Sequence, residues 1–273
     1  MGLPMSGYAG EAAKPASIAA RALRGLKRRL LTRPFVACRT VGDHWVNIHH
    51  RGTRADLGVI RQCFQEQQLE IPQLRPHYRE RANAFYRRIV AAGRTPLILD
   101  CGANIGVTAL WFQARYPDAH IVAIEPASDN FALLSRNCVG PTWDLRQAAI
   151  GNQEGSAHLT DPGEGEWGYR TTEFVGGYEV AVVTVAGVLA GKAAKNYAPF
   201  LLKVDIEGAE KTLFDESAEV LDWFPVLVVE PHDWLSPGSG IASGFFRFHA
   251  ETKRDYVHKG EHVFSISYRR MLE

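Results

Sequence analysis

Five short blocks of this 273-residue chain bring together residue types that do chemistry. Asp100-Cys101-Gly102-Ala103-Asn104-Ile105-Gly106 follows the apolar run Leu97-Ile98-Leu99 and leads into a helical stretch from Val107. Such a strand-to-helix corner suits a nucleotide-type cofactor: glycine tolerates positive φ and close ligand approach, and the helix N-terminus offers unpaired N–H groups. Asp100 adds a carboxylate for a cationic group on the ligand. Glu125-Pro126 ends the next apolar run about 20 residues beyond the glycines, where an acid can take both hydroxyls of a ribose. At the end of the third run, Gln147-Ala148-Ala149 would let an adenine ring lie against small residues, with Gln147 at its edge.

The other two blocks are acidic. In Lys203-Val204-Asp205-Ile206-Glu207-Gly208-Ala209-Glu210, strand alternation sends Lys203, Asp205 and Glu207 to one side, a cluster costly to leave unpaired. Glu230-Pro231-His232 adds a carboxylate and an imidazole at the end of a fifth run. Asp205, Glu207, Glu230 and His232 are also ligand types for a divalent metal. Nothing in their spacing demands one, and a metal-free site is expected.

The loop pattern D-x-G-x-N-x-G departs from the dinucleotide fingerprint G-x-G-x-x-G at Asn104 and in the early Gly106, and no G-K-[ST] follows as in a P-loop. A nicotinamide-dependent (NAD) oxidoreductase on a related fold and a non-catalytic cofactor-binding module are the alternatives to weigh.

D-C-G-A-N-I-G, E-P, A-A-I-G-N-Q-E-G, K-V-D-I-E-G-A-E and E-P-H, in this order over residues 96–235, resemble the FkbM-type methyltransferase family. The resemblance implies a class I methyltransferase fold, S-adenosyl-L-methionine as methyl donor, and O-methylation of a sugar, glycolipid or secondary metabolite. It implies donor-binding roles for Asp100, Gly102, Ala103, Asn104, Gly106, Glu125, Pro126, Gln147, Ala148 and Ala149, with Asp100 facing the donor's ammonium directly or through water. A hydroxyl is a poor nucleophile at neutral pH and benefits from a general base. Asp205 and His232 are the candidates, with Lys203 fixing Asp205 or steadying a developing oxyanion. Family members commonly carry T-L-D before the fourth strand; Thr184-Val185-Ala186 stands there instead, without the acid.

The elements that must position these residues follow from periodicity. Continuous apolar runs at 97–99, 121–124, 145–150, 200–204 and 226–229 read as strands covered on both faces. Helical patterns alternate with them at 107–116, 130–137 and 210–223, giving an α/β, Rossmann-like fold with a mostly parallel seven-stranded sheet. A helix near 245–252 and two strands at 255–258 and 263–268, joined by a connection too short for a crossover, predict a C-terminal antiparallel hairpin. Before this catalytic domain (95–273), residues 36–94 predict a small extension with a strand at 41–50 and helices at 56–67 and 79–92. It is expected to cap the acceptor side. Asp161 to Tyr178, with Trp167, Tyr169 and Tyr178, reads as a loop over the cofactor edge.

Composition sets the outer bounds. A net charge of +1 and 22% charged residues give no reason to expect a nucleic-acid partner. Residues 1–35 read as a basic, partly disordered or helical arm, with six Arg or Lys and no acid over 21–33. A solvated arm is the plainer reading, and peripheral contact with an anionic membrane is the functional one. Four scattered cysteines fit free thiols in a reducing compartment, and with no apolar run of membrane-spanning length a cytoplasmic protein is expected. Oligomeric state is not legible.

Overall fold

The computed structural model describes residues 35–41, 44–73, 77–160, 170–172, 178–193 and 196–272. The basic arm before residue 35, together with Trp167 and Tyr169, lies outside these residues. The strand expected over 41–50 is the second arm of a hairpin, in which β1 (Phe35–Val41) pairs antiparallel with β2 (His44–His50). The Thr53 hydroxyl accepts the Asp56 amide at 3.2 Å to start α1 (Arg54–Ile60), which runs on as a π-turn over Arg61–Gln65. Helix α2 (Tyr78–Ala91) leads to the sheet.

Alternation follows in β3 (Thr95–Cys101), α3 (Val107–Arg115), β4 (His120–Ile124), α4 (Ser128–Asn137) and β5 (Trp143–Arg146). A second group comprises β6 (Ala148–Gly151), β7 (Gly155–Thr160), β8 (Arg170–Thr172), β9 (Tyr178–Thr184) and α5 (Val185–Ala193). The chain then forms β10 (Tyr197–Val204), α6 (Glu210–Glu216), α7 (Ala218–Leu221), β11 (Val226–Val229), α8 (Ser243–Glu251), β12 (Asp255–Lys259), β13 (His262–Ile266) and α9 (Tyr268–Leu272). Seven strands make one sheet in the order β12-β13-β11-β10-β3-β4-β5, and β13 alone runs against the others. This is the mostly parallel sheet with a C-terminal hairpin that the sequence predicts.

Period-two alternation divides the core. Leu97, Leu99 and Cys101 pack with Phe214, Phe245 and Phe248 on one face; Ile98 packs with Trp111, Phe112 and Phe200 on the other. Two expected elements are broken. The run at 145–150 leaves the main sheet at exposed Gln147: Leu145 pairs with Ala123, whereas Ala148–Gly151 pair with β9 in a second sheet, ordered β6-β9-β7-β8. The helix expected over 210–223 breaks at Ser217, whose φ of −120° is not helical, into α6 and α7. Where the T-L-D acid is missing, the Thr184 hydroxyl accepts the Gly187 amide at 2.9 Å at the start of α5. Among the described residues no helix is long and apolar enough to cross a membrane.

Candidate active site

Parallel pairing brings the carboxyl ends of β3, β4, β10 and β11 to one edge, so the motifs found there in sequence meet in space. Lys203 on β10 is the register partner of Asp100 on β3, and both face the same side of the sheet. Lys203 Nζ lies 2.9 Å from Asp205 Oδ2, 3.0 Å from the Gly102 carbonyl and 3.5 Å from Asp100 Oδ1. Asp100 is fully buried beneath the loop, lines no cavity wall, and has no hydrogen bond to either carboxylate oxygen among the described residues. Burial pushes its carboxyl up to about 6 against the pull of Lys203. Burial opposes the charge on Lys203, yet Asp205 and Asp100 hold its ammonium above the ordinary lysine value. Burial likewise opposes the charge on Asp205, but Lys203 and His232 keep that carboxyl below the usual range.

The loop between β3 and α3 is held by the neighbouring strand: the Gly102 and Ala103 amides both donate to the Ile124 carbonyl, at 3.0 and 2.9 Å. Gly102 has φ +82°, and a Cβ there would stand 1.7 Å from the Asp205 carbonyl oxygen, so no side chain fits. Asn104 takes φ 49°, and its amide donates to Glu125 Oε2 at 2.9 Å. The Ala127 amide and Asn130 Nδ2 reach Glu125 Oε1 at 3.0 and 3.4 Å. Burial nevertheless lifts the Glu125 carboxyl to about 7, against these donors.

Glu125 stands in a cleft of about 630 Å³ whose wall includes Gly102, Asn104, Pro126, Ala148, Ala149 and Leu159. Ala103 and Gly106 shape the loop from behind it, Gly106 with φ +87° as it enters α3. Gln147 is exposed and off the cleft, because the strand break turns it away while bringing Ala148 and Ala149 in. Asn130 was not anticipated. Its position in the first turn of the helix after Glu125-Pro126 is the signal that could have found it.

On the other side of the loop lies a second cavity of about 570 Å³, reached by Lys203, Glu230 and His262 from the sheet and by Gln62, Cys63 and Gln68 from the N-terminal extension. Gly102, Asn104, Asp205 and Glu207 line both cavities. His232 lines neither. It is 1% exposed, and its Nδ1 donates to Glu210 Oε1 at 2.7 Å. Glu210 also accepts the Ile206 and Gly208 amides, at 3.1 and 2.8 Å. Burial works against a charged His232, but the bond to Glu210 and the nearby carboxylates raise it to about 9. Burial, then Asp205, lifts Glu230 to about 8; burial drops His262 to about 4. The extension's residues and His262 carry no motif, and only folding brings them to the site.

The sequence of residues 100–239 matches the Methyltransferase FkbM domain, just over half of the chain. The chain is 26% identical to the 31-O-demethyl-FK506 methyltransferase FkbM of Streptomyces tacrolimicus, an alignment covering 64% of this chain and 80% of that protein. It is 50% identical to methyltransferase sdnD of Sordaria araneosa over 42 residues, 15% of this chain and only 16% of that protein. Among solved structures, similarity is to the S-adenosylmethionine-bound O-methyltransferase TomG of Streptomyces achromogenes (14% identity, 78% of this chain, 89% of that one, TM-score 0.36). A second is the S-adenosylhomocysteine-bound methyltransferase PaMTH1 of Podospora anserina (11% identity, 95% and 99%, TM-score 0.35). With the domain match running from the Asp100 loop through the Lys203 to Glu210 block to His232 and beyond, the chain belongs to the FkbM methyltransferase family.

Proposed function

We propose that this protein transfers a methyl group from S-adenosylmethionine to a hydroxyl of a sugar, glycolipid or other secondary metabolite. The observation that carries the proposal is the pair of cavities meeting across Gly102, Asn104, Asp205 and Glu207. A methyl group moves from sulfonium to oxygen by in-line displacement, which needs donor and acceptor on opposite sides of one short path. The first cavity fits the donor. Glu125 offers a carboxylate for ribose hydroxyls, Ala148, Ala149 and Leu159 offer a small apolar surface for adenine, and Gly102 leaves the backbone open. Asp100 acts from beneath the loop, through Lys203. The name of the Streptomyces tacrolimicus relative, an O-demethyl compound's methyltransferase, supports oxygen as the acceptor atom.

When bound, the donor supplies an electrophilic methyl carbon. The chain aligns the acceptor hydroxyl and receives its proton. Asp205 is our catalytic base because it stands on the wall common to both cavities. Lys203 is a positioning residue that holds Asp205 Oδ2. His232, behind the cavity walls, acts through its neighbours. The second cavity, walled partly by residues 59–69, takes the acceptor, which makes the N-terminal extension its cap.

Mass spectrometry of candidate glycans and lipids incubated with the donor should show gain of one methyl group on oxygen. Asp205→Asn should lower turnover by about 10²–10³-fold while donor affinity stays within a few fold. Equal losses in turnover and donor binding would remove Asp205 from the base role. Methyl gain on nitrogen or carbon would overturn the acceptor assignment.

A further inference from the structure

We propose that Arg79 and Arg115 form a binding site for an organic anion, an apolar body carrying one phosphate or carboxylate group. The site lies in a third cavity, outside the two assigned to methyl transfer, and its evidence does not depend on that assignment.

This cavity, of about 980 Å³, opens between the β1–β2 hairpin, the segment around the π-turn, and helices α2 and α3. It shares no lining residue with the other two. Phe64 and Gln67 face it, while their neighbours Cys63 and Gln68 face the second cavity, so one stretch of chain separates the two spaces. Phe64, Trp111, Ala114 and Pro117 give it an apolar wall, and Arg79, Arg115 and Glu70 complete the lining on the charged side.

Buried Glu70 sets the two guanidiniums. Its carboxylate accepts from Arg115 Nε at 3.1 and 3.2 Å and lies 3.0 Å from Arg79 Nε. Arg79 Nε also donates to the Ile71 carbonyl at 2.9 Å. Each guanidinium is thus held at Nε, whereas four of its five N–H donors sit on the two amino groups. Among the described residues the Arg79 amino groups have no hydrogen-bond acceptor, and Arg115 gives only a long contact of 3.4 Å from Nη2 to Asn83 Oδ1. The two side chains are 32% and 26% exposed, so what the remaining donors meet is the cavity. Tying the segment to its two helices needs only the Nε bonds. The amino ends are surplus to that task, and they are what an oxyanion takes.

Charge points the same way. Lys259 Nζ arrives from the β12–β13 hairpin and donates to the Gln67 and Glu70 carbonyls, at 2.6 and 2.9 Å. Three cations therefore meet one carboxylate. The planar fork of arginine matches phosphate and carboxylate oxygens in pairs, and a fork fixed in advance costs less entropy to engage. The apolar wall favours a ligand whose body leaves water as its anion docks. A neutral ligand forgoes the guanidiniums, and a bare inorganic ion forgoes the wall.

Saturation-transfer NMR on full-length protein, titrated with phenyl phosphate, phenylacetate or neutral benzyl alcohol, tests the site. At least one anion should bind with a Kd near or below about 1 mM, and benzyl alcohol should not bind at that concentration. Arg79→Met, which leaves Glu70 paired with Arg115, should weaken anion binding at least about tenfold. Ala114→Phe fills the cavity without touching a charge; it should have the same effect, and it serves as the test if Arg79→Met fails to fold. Phenyl phosphate alone would name a phosphate ester and phenylacetate alone a carboxylate, and either result supports the site. No binding of either anion at about 10 mM, equal binding of benzyl alcohol, or variants that bind as wild type would overturn it. Calorimetry with S-adenosylmethionine on the same variants should show unchanged donor affinity. A parallel loss there would place the anions in the donor cleft and strike the third-cavity site.

Discussion

If Glu125 holds the donor as proposed, this one side chain couples donor binding to pH. Three donors point at its carboxylate, two of them backbone amides, yet burial keeps its affinity for a proton at about 7 in place of 4.5. Only the ionised carboxylate can accept both ribose hydroxyls, so donor binding competes with the proton. As pH falls through 7 the protonated form grows and affinity for S-adenosylmethionine should drop. The loss at about pH 6 relative to pH 8 should be about tenfold. Calorimetry across this range checks the slope. In Glu125→Gln the site should bind more weakly at every pH and lose this part of the dependence; an identical slope in the variant would show that another group titrates.

Elements show where the sequence was informative. Buried strands were legible because both faces are covered, so their residues read as uninterrupted apolar runs, as in Leu97-Ile98-Leu99 and Val226-Leu227-Val228-Val229. The pairing of Lys203 with Asp205 was legible from alternation alone. The exit of the chain at Gln147 was not: Ala148 and Ala149 look like a continuation of β5, and only their pairing with β9 more than 30 residues later reveals a second sheet. Nor was the second cavity, since its contacts join distant parts of the chain. Gln62 Nε2 donates to Glu261 Oε2 at 2.6 Å across 199 residues, and the Glu261 amide meets Gln68 Oε1 at 3.4 Å. These bonds pin the extension to the β12–β13 turn. Gln62→Ala and Gln68→Ala should raise the acceptor KM by about 5–20-fold and leave donor affinity unchanged. Steady-state kinetics with a fixed, saturating donor concentration measures this, and an unchanged KM would place the acceptor elsewhere.

At the scale of the whole molecule, the proposed function assigns donor binding to the sheet and its flanking helices and the acceptor to the extension. The basic segment at 21–33 lies outside the described residues. If it serves as a membrane-surface arm, full-length protein should sediment with vesicles rich in anionic lipid, increasingly so as salt is lowered. A chain starting at residue 35 should stay in the supernatant. Donor affinity should be equal in the two forms. Equal sedimentation of both would end that reading and leave the segment as a solvated arm.

The wall of Gly102, Asn104, Asp205 and Glu207 is common to both cavities, and under the proposed reaction it would also govern timing. Because the two chambers open onto the same few atoms, direct transfer between them would need no intermediate resting place for the methyl group on the protein. Under that reaction both substrates would have to be seated together before either could change, and the spent donor would remain a neighbour of the methylated product until one departs. Turnover would then be an encounter of two guests across a thin partition.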